Sequence, residues 1–345
     1  MARPDVRPFR RQAHIALFEA TSLVAKGIKD HLAGRSFPAA SVRLYTSIDD
    51  PDVPLSEYAG EAMLVARPDL DAMERVDIAF LCGTEEEGER YLDWPDRAGF
   101  TAIDLSSASY ARNAPLINME VNPEAIAPGA GLIAAPGPIA HLLSSLLAPI
   151  RRGPGLTAAM AVVFQPASEC GEAGIEELHR QSAGLLNFQD MPKEVFGDQL
   201  AFNLLPAFLY PGGRPPGGSR PDRLAGEVGR IAGTGYDLSV EVVLAPVFHC
   251  HAALLLVTLP GKAGRKDLEG ALRGAAGVVL ARPGDRPTPV GRAGREGILV
   301  AGIRPAGGAA FWLWAIADHL AGGAALNAVR IAETLLERGL RRRPT

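Results

Sequence analysis

The sequence predicts an α/β protein: a parallel sheet flanked by helices, then a second domain built on an open mixed sheet. Two patterns point there. Short apolar runs alternate with helical stretches in the first part of the chain, and later runs are longer and carry both polar and apolar residues. A length of 345 residues suits two domains of ordinary size.

The first strand is His14–Phe18, followed by a turn and a helix from Glu19 to His31. Val42–Tyr45 and Ala62–Val65 read as strands, and Val76–Cys82 as a strongly apolar one. A helix is expected over Glu85–Trp94, then a buried strand over Thr101–Leu105. Beyond Pro136 the pattern changes. His141–Ile150 reads as a short helix, Thr157–Phe164 as a long strand and Gly174–Leu186 as a helix. Pro211–Gly218 is dense in glycine and proline, hence a loop. Asp222–Ile231 is helical. Long strands follow at Leu238–Ala245, His251–Thr258, Ile298–Ile303 and Ala310–Ala317. The final helix, Gly323–Arg338, has an apolar stripe of Leu326, Val329, Ile331, Leu335 and Leu336. Trp312 and Trp314 alternate on their strand and are expected to pack the sheet face that meets a partner subunit.

Apolar residues make up 47% and charged residues 21%, with a net charge of −4. Nothing in that balance favours a nucleic-acid partner. The short basic end, Arg338 and Arg341–Arg343, suits the terminus of a helix. Three scattered cysteines, Cys82, Cys170 and Cys250, make neither a disulfide framework nor a zinc pattern, and fit a reducing, cytoplasmic setting. No run of about 18 apolar residues exists, so no membrane span is expected. Met1–Gln12 is arginine-rich without an apolar centre and reads as a disordered leader. The abundance of Arg, Gly, Ala and Pro suggests a GC-rich bacterial genome.

The strand–turn–helix from Ile15 to Leu32 stands where a dinucleotide-binding turn belongs. Such a turn needs glycines, so that the backbone turns tightly and approaches the diphosphate. Here it reads Glu19-Ala20-Thr21-Ser22-Leu23-Val24-Ala25, with none. A carboxylate at Glu19 repels a diphosphate, and its Cβ resists a positive φ. A modified cofactor site and a turn that keeps the fold without binding a nucleotide are both open. The expectation is no bound cofactor.

Four strings carry a family resemblance over about His14–Leu340: Ile103-Asp104-Leu105-Ser106-Ser107-Ala108, Glu120-Val121-Asn122-Pro123, Gln199–Pro206, and Ala317-Asp318-His319-Leu320 with Gly323–Val329. Together and in order, they resemble the aspartate-semialdehyde dehydrogenase superfamily, and within it the Usg-like homologues that lack the catalytic cysteine. The resemblance implies a Rossmann-like NAD(P)-binding-type domain (residues 13–135 plus 323–340) and a mixed α+β dimerisation domain (136–322). It also implies a homodimer and a link to amino-acid biosynthesis.

Position by position, the family's chemistry is thinned. Leu132–Leu143 resembles the segment whose cysteine opens a helix, but Gly137 and Pro138 stand at the Asn-Cys positions. Proline has no nucleophilic atom, so a covalent thiohemiacetal cannot form there. The acid–base histidine is kept as His251 in Pro246-Val247-Phe248-His249-Cys250-His251, and the active-site glutamine as Gln165. The two arginines that hold anions in the family fall at Leu244 and Tyr110, so both clamps are lost. The cofactor-facing glycine run has become Ser168-Glu169-Cys170-Gly171, and the Asp-Asn near the nicotinamide is Asp318-His319. If the nucleotide site survives, NADP is the expected cofactor, touching Thr21, Ser22, Val24 and Ser168.

No metal site is read. The seven histidines contain no His-x-x-x-His pair, and His249 and His251, expected to alternate on a strand, have no nearby carboxylate in sequence. Cys170 and Cys250 border the site and read chiefly as small packed hydrophobes; Cys170 is expected to lack the helix-terminus activation that lowers a thiol pKa. Two functional readings follow. One is a catalytically degenerate dimer that binds or regulates an unknown partner. The other is an active NAD(P)-dependent oxidoreductase on an aldehyde or semialdehyde.

Overall fold

A computed structural model describes residues 12–47, 55–218 and 220–339. The expected leader, apart from Gln12, and the tail arginines Arg341–Arg343 lie outside these. The chain divides into two compact units. One holds residues up to Pro115, Glu124–Ala135 and those from Asn327 onward; the other holds Leu116–Pro123 and Pro136–Leu326.

The first unit is the Rossmann-like one. Its elements run β1 (Ala13–Phe18), α1 (Leu23–Gly34), β2 (Ala39–Tyr45), β3 (Leu55–Tyr58), β4 (Glu61–Ala66), β5 (Ile78–Leu81), α2 (Glu85–Glu89), α3 (Trp94–Ala98), β6 (Thr101–Asp104) and β7 (Leu132–Ala134). The sheet order is β3-β4-β2-β1-β5-β6-β7. All pairs are parallel except the β3–β4 hairpin. Strands β1 and β5 are near-continuous apolar runs because helices cover both faces of such a sheet.

Two expectations fail in this unit. β3 goes unread because Leu55–Tyr58 is only four residues long, has two polar residues in its middle and lies at an exposed edge. The single helix over Glu85–Trp94 is two short ones. Thr84 caps α2 in a reciprocal capping box with Glu87, and α3 restarts at Trp94 with Pro95 at its head. The turn between them lets Tyr91 pack tilted and Trp94 edge-on against Phe18, with ring centroids 4.5 and 5.8 Å from it.

The second unit continues with α4 (Pro138–Arg152), β8 (Ala158–Gln165), α5 (Gly171–Leu186), β9 (Leu205–Pro206), α6 (Pro221–Ala232), β10 (Asp237–Leu244), β11 (His251–Thr258), α7 (Arg265–Arg273), β12 (Val278–Leu280), α8 (Pro289–Arg292), β13 (Ile298–Gly307) and β14 (Ala310–Ala317); α9 (Gly323–Glu337) closes the chain. α4 starts earlier than expected because proline is well suited to a helix's first position, and it runs on through Pro149 to Arg152. The mixed sheet has the order β12-β13-β14-β11-β8-β10-β9. β10 runs parallel to β8, while β11 pairs antiparallel with both β8 and β14. Helix α6 packs on β10 and α7 on β12 and β13, with α4 against both helices.

Candidate functional site

In the mixed sheet, register alone gathers the chemistry. His251 opens β11 opposite Ala317 at the end of β14, so His319 lies two residues beyond the same sheet end. Ala252 pairs with Phe164, so Gln165 ends β8 at that end too. A 3-10 turn, Ala167–Cys170, follows β8 and brings Glu169 back over it.

His251 Nε2 lies 3.3 Å from Glu169 Oε2, and His319 Nε2 lies 3.7 Å from the same oxygen. The two imidazoles meet edge to face at 5.1 Å between centroids. All three side chains are buried, His251 with 1% of its surface exposed. Burial is the main cause of each shift in protonation. It pushes the Glu169 carboxyl up to about 8, holds His251 well below the usual histidine range with His319 adding to the effect, and takes His319 down to about 4. His251 is therefore a neutral imidazole across ordinary pH.

Gln165, fully buried, donates its Nε2 to the Pro216 carbonyl at 3.0 Å. The Cys170 thiol donates to the same carbonyl at 3.0 Å. The glycine–proline loop thus lies directly over this sheet end. A Cβ on Gly217, which sits at φ +66°, would strike the Glu169 carbonyl, and one on Gly218 would strike Gln165 Oε1.

Cys170 corrects one expectation: it stands at the N-cap of the 16-residue α5, because the 3-10 turn runs straight into the helix. Its thiol is nonetheless pushed up to about 12, by burial first and the Glu169 carboxylate second. Cys250, also raised to about 12 by burial, is no better a nucleophile. His249 is not on β11 at all; the strand begins at His251, after Cys250 turns the backbone at φ 73°. The carboxylate that the sequence did not place beside His251 is Glu169, delivered from a distant segment by sheet register.

Pro138 is the first residue of α4, with Gly137 as N-cap. Ser168 is buried beside Glu169, its backbone N–H donating to the Phe248 carbonyl. The remaining positions named for a cofactor lie in the first unit. Thr21 is exposed and Val24 half-buried. Ser22 caps α1, accepting from the Ala25 N–H at 3.2 Å and donating to the Cys82 carbonyl at 3.1 Å.

Glu19 holds a left-handed conformation, φ 52°, which its Cβ resists. It is 5% exposed, and its carboxylate accepts from Thr46 Oγ1 and the Ser47 N–H, both at 3.0 Å. A Cβ on Gly83 would lie 2.7 Å from Glu19 Cγ. The side chain therefore crosses the carboxyl ends of β1, β2 and β5, the crevice where open α/β sheets take their ligands.

The four sequence strings resolve into structural anchors. Ser106 and Ser109 each bond Asp104 through backbone and hydroxyl, fully satisfying a buried carboxylate. Asn122 bridges the Asn118 N–H and the Leu116 carbonyl. Gln181 of α5 accepts from Leu200 and Ala201 N–H. Asp318 accepts from Gly294, Leu320 and Ala321 N–H. Tyr110, at an arginine position of the resemblance, donates to the Ala135 carbonyl.

This architecture, a dinucleotide-type domain joined to a mixed dimerisation-type sheet, defines a class, and sequence comparison agrees with it. Residues 14–128 match the semialdehyde dehydrogenase NAD binding domain, and residues 147–321 the semialdehyde dehydrogenase dimerisation domain. The chain belongs to the aspartate-semialdehyde dehydrogenase superfamily. It is 30% identical to an aspartate-semialdehyde dehydrogenase of Rickettsia bellii, covering 95% of this chain and 98% of that protein. It is 29% identical to a USG-1 protein homolog of Azotobacter vinelandii, covering 94% and 98%. Among solved structures, aspartate semialdehyde dehydrogenase II of Vibrio cholerae complexed with ASA superposes with a TM-score of 0.85 at 28% identity, over 94% of this chain and 98% of that one.

Proposed function

We propose that this chain is a catalytically degenerate member of the superfamily, acting as a homodimer through binding or regulation rather than dehydrogenation. The observation that carries this is Pro138 at the head of α4, where the resemblance puts the nucleophilic cysteine. A dehydrogenase of this kind needs a thiolate to capture the aldehyde. The thiols bordering the site, Cys170 and Cys250, are both held protonated by burial. Glu19 argues against a nucleotide as well, since a buried carboxylate lies across the crevice a diphosphate would use. His251 and Gln165 retain the family's residue types without a nucleophile to serve.

The test is direct. Purified protein is assayed with aspartate semialdehyde, phosphate and NADP, and titrated with NADP(H) by fluorescence. The expected results are no turnover and no micromolar binding. Turnover abolished by His251→Ala would establish the opposite reading, an active NAD(P)-dependent oxidoreductase, and micromolar NADP(H) binding would remove the claim about Glu19.

A further inference from the structure

We propose that Glu169, His251 and His319 form a binding site for one divalent first-row transition-metal ion of the zinc class. One ligand atom from each residue lies within 4.8 Å of the others. A tetrahedral zinc ion with bonds of about 2.0–2.2 Å holds its ligand atoms roughly 3.3–3.6 Å apart. The 3.3 and 3.7 Å separations from Glu169 Oε2 to the two Nε2 atoms already approach that spacing. The third side, between the two imidazole nitrogens, lies within 4.8 Å and has to shorten when an ion binds.

A second observation is independent of the spacing. Among the described residues, Glu169 Oε2, both ring nitrogens of His251 and Nδ1 of His319 are buried with no hydrogen-bond partner, as are Gln165 Oε1 and Ser168 Oγ. Buried polar atoms are almost always partnered. So many unpartnered polar atoms at one sheet end call for a further partner there.

The donor set selects the ion. Two imidazoles and one carboxylate suit zinc, cobalt, nickel or iron(II), whereas calcium and magnesium prefer all-oxygen cages. Cys170 is turned away, its thiol engaged with the Pro216 carbonyl, so the site is a nitrogen–oxygen one. Three protein ligands leave coordination positions open. An ion there would tie together β8, β11 and β14 beneath the Pro215–Gly218 loop.

The proposal stands independently of whether the chain retains dehydrogenase activity, because its readouts involve neither nucleotide nor turnover. Full-length protein is expressed in zinc-supplemented medium and its metal content measured by mass spectrometry. Because the site is buried, a second sample is unfolded with chelator and refolded with cobalt(II). About one ion per chain is expected, with a visible cobalt spectrum of nitrogen–oxygen type and a higher melting temperature than the stripped protein. Glu169→Gln and His319→Asn should each lose the ion while keeping the far-ultraviolet circular dichroism of the stripped wild type. Absence of metal from both preparations would overturn the proposal and leave a buried water as the partner of these atoms. So would unchanged metal content in the Glu169→Gln/His319→Asn double variant. Should the variants fail to fold, the wild-type cobalt spectrum still decides: a thiolate charge-transfer band would place the ion on cysteine and sink the assignment.

Discussion

Glu19 puts two opposing energies on one residue. Its left-handed backbone costs roughly 1–2 kcal/mol for a side chain with a Cβ. The hydrogen bonds of its carboxylate to Thr46 and Ser47 return about 1.5–3 kcal/mol. Glu19→Ala keeps the strain and loses the bonds, so it should destabilise by about 2 kcal/mol in chemical denaturation. Glu19→Gly loses the bonds but releases the strain, so it should be clearly the more stable of the two. Equal stability would mean that the backbone strain is not paid in the fold. Lys29 gives a pH-dependent counterpart. It is 5% exposed and donates to the Ala20 carbonyl and the Ser56 hydroxyl, and burial lowers its pKa from 10.5. With a folded pKa below the unfolded one, the unfolded chain binds more protons in the window ending at 10.5, so stability rises with pH there. Relative to Lys29→Met, the wild type should gain stability as pH climbs through that window; parallel curves would refute it. At this scale the sequence exposed each residue's hostility to its expected role, such as a carboxylate in a phosphate turn. It did not reveal the partners, because Thr46, like Glu169 and His319 for His251, arrives from another segment.

Helix α5 shows what one glycine does for an element. A helical glycine replaced by alanine ordinarily gains about 1 kcal/mol. At Gly174 an added Cβ would run into the Ala167 carbonyl and come within 2.6 Å of Cys170 Cβ. The cost of such overpacking is about 1–3 kcal/mol. Gly174→Ala should therefore lower stability despite its better propensity, and it should do so by pushing on the turn that carries Glu169. Thermal denaturation reads the sign; an increase in melting temperature would show that the turn yields freely. Elements were legible wherever the signal was local. His251–Thr258 and Ala310–Ala317 were readable to the residue as long, near-continuous apolar runs. α7 and β12 escaped notice: the first is short and strongly charged, the second only three residues long. The division of Glu85–Trp94 also escaped notice, because Tyr91 and Trp94 are drawn to Phe18, a tertiary contact that no window of the sequence contains.

For the whole molecule, the two faces of the mixed sheet differ. Along β8, β11 and β14 alternate residues are buried, Ala161, Val163, Ala253, Leu255, Leu313 and Ala315 among them. The other face carries two rows across the same strands. Met160 pairs with Leu256 and Leu256 with Trp312; Val162 pairs with Leu254 and Leu254 with Trp314. These side chains are half-buried, apart from Met160, which is 43% exposed. Beside β8 both rows end in polar residues, Ser239 and Glu241; on β13 Arg304 pairs with Trp312, while Ala301 pairs with Trp314. An apolar patch rimmed by polar residues is what a subunit interface leaves on an isolated chain. A two-fold contact would present each row to its own copy. Lysines placed there are counted twice in the dimer, desolvated and facing like charges, while in the monomer they extend into water. Leu254→Lys/Leu256→Lys should therefore halve the mass measured by light scattering at micromolar concentration, with unit folding retained by circular dichroism. Ser239→Lys, at the polar margin, should leave the mass unchanged. A double variant that remains dimeric would move the interface off this face and leave Trp312 and Trp314 without the role their alternation suggested.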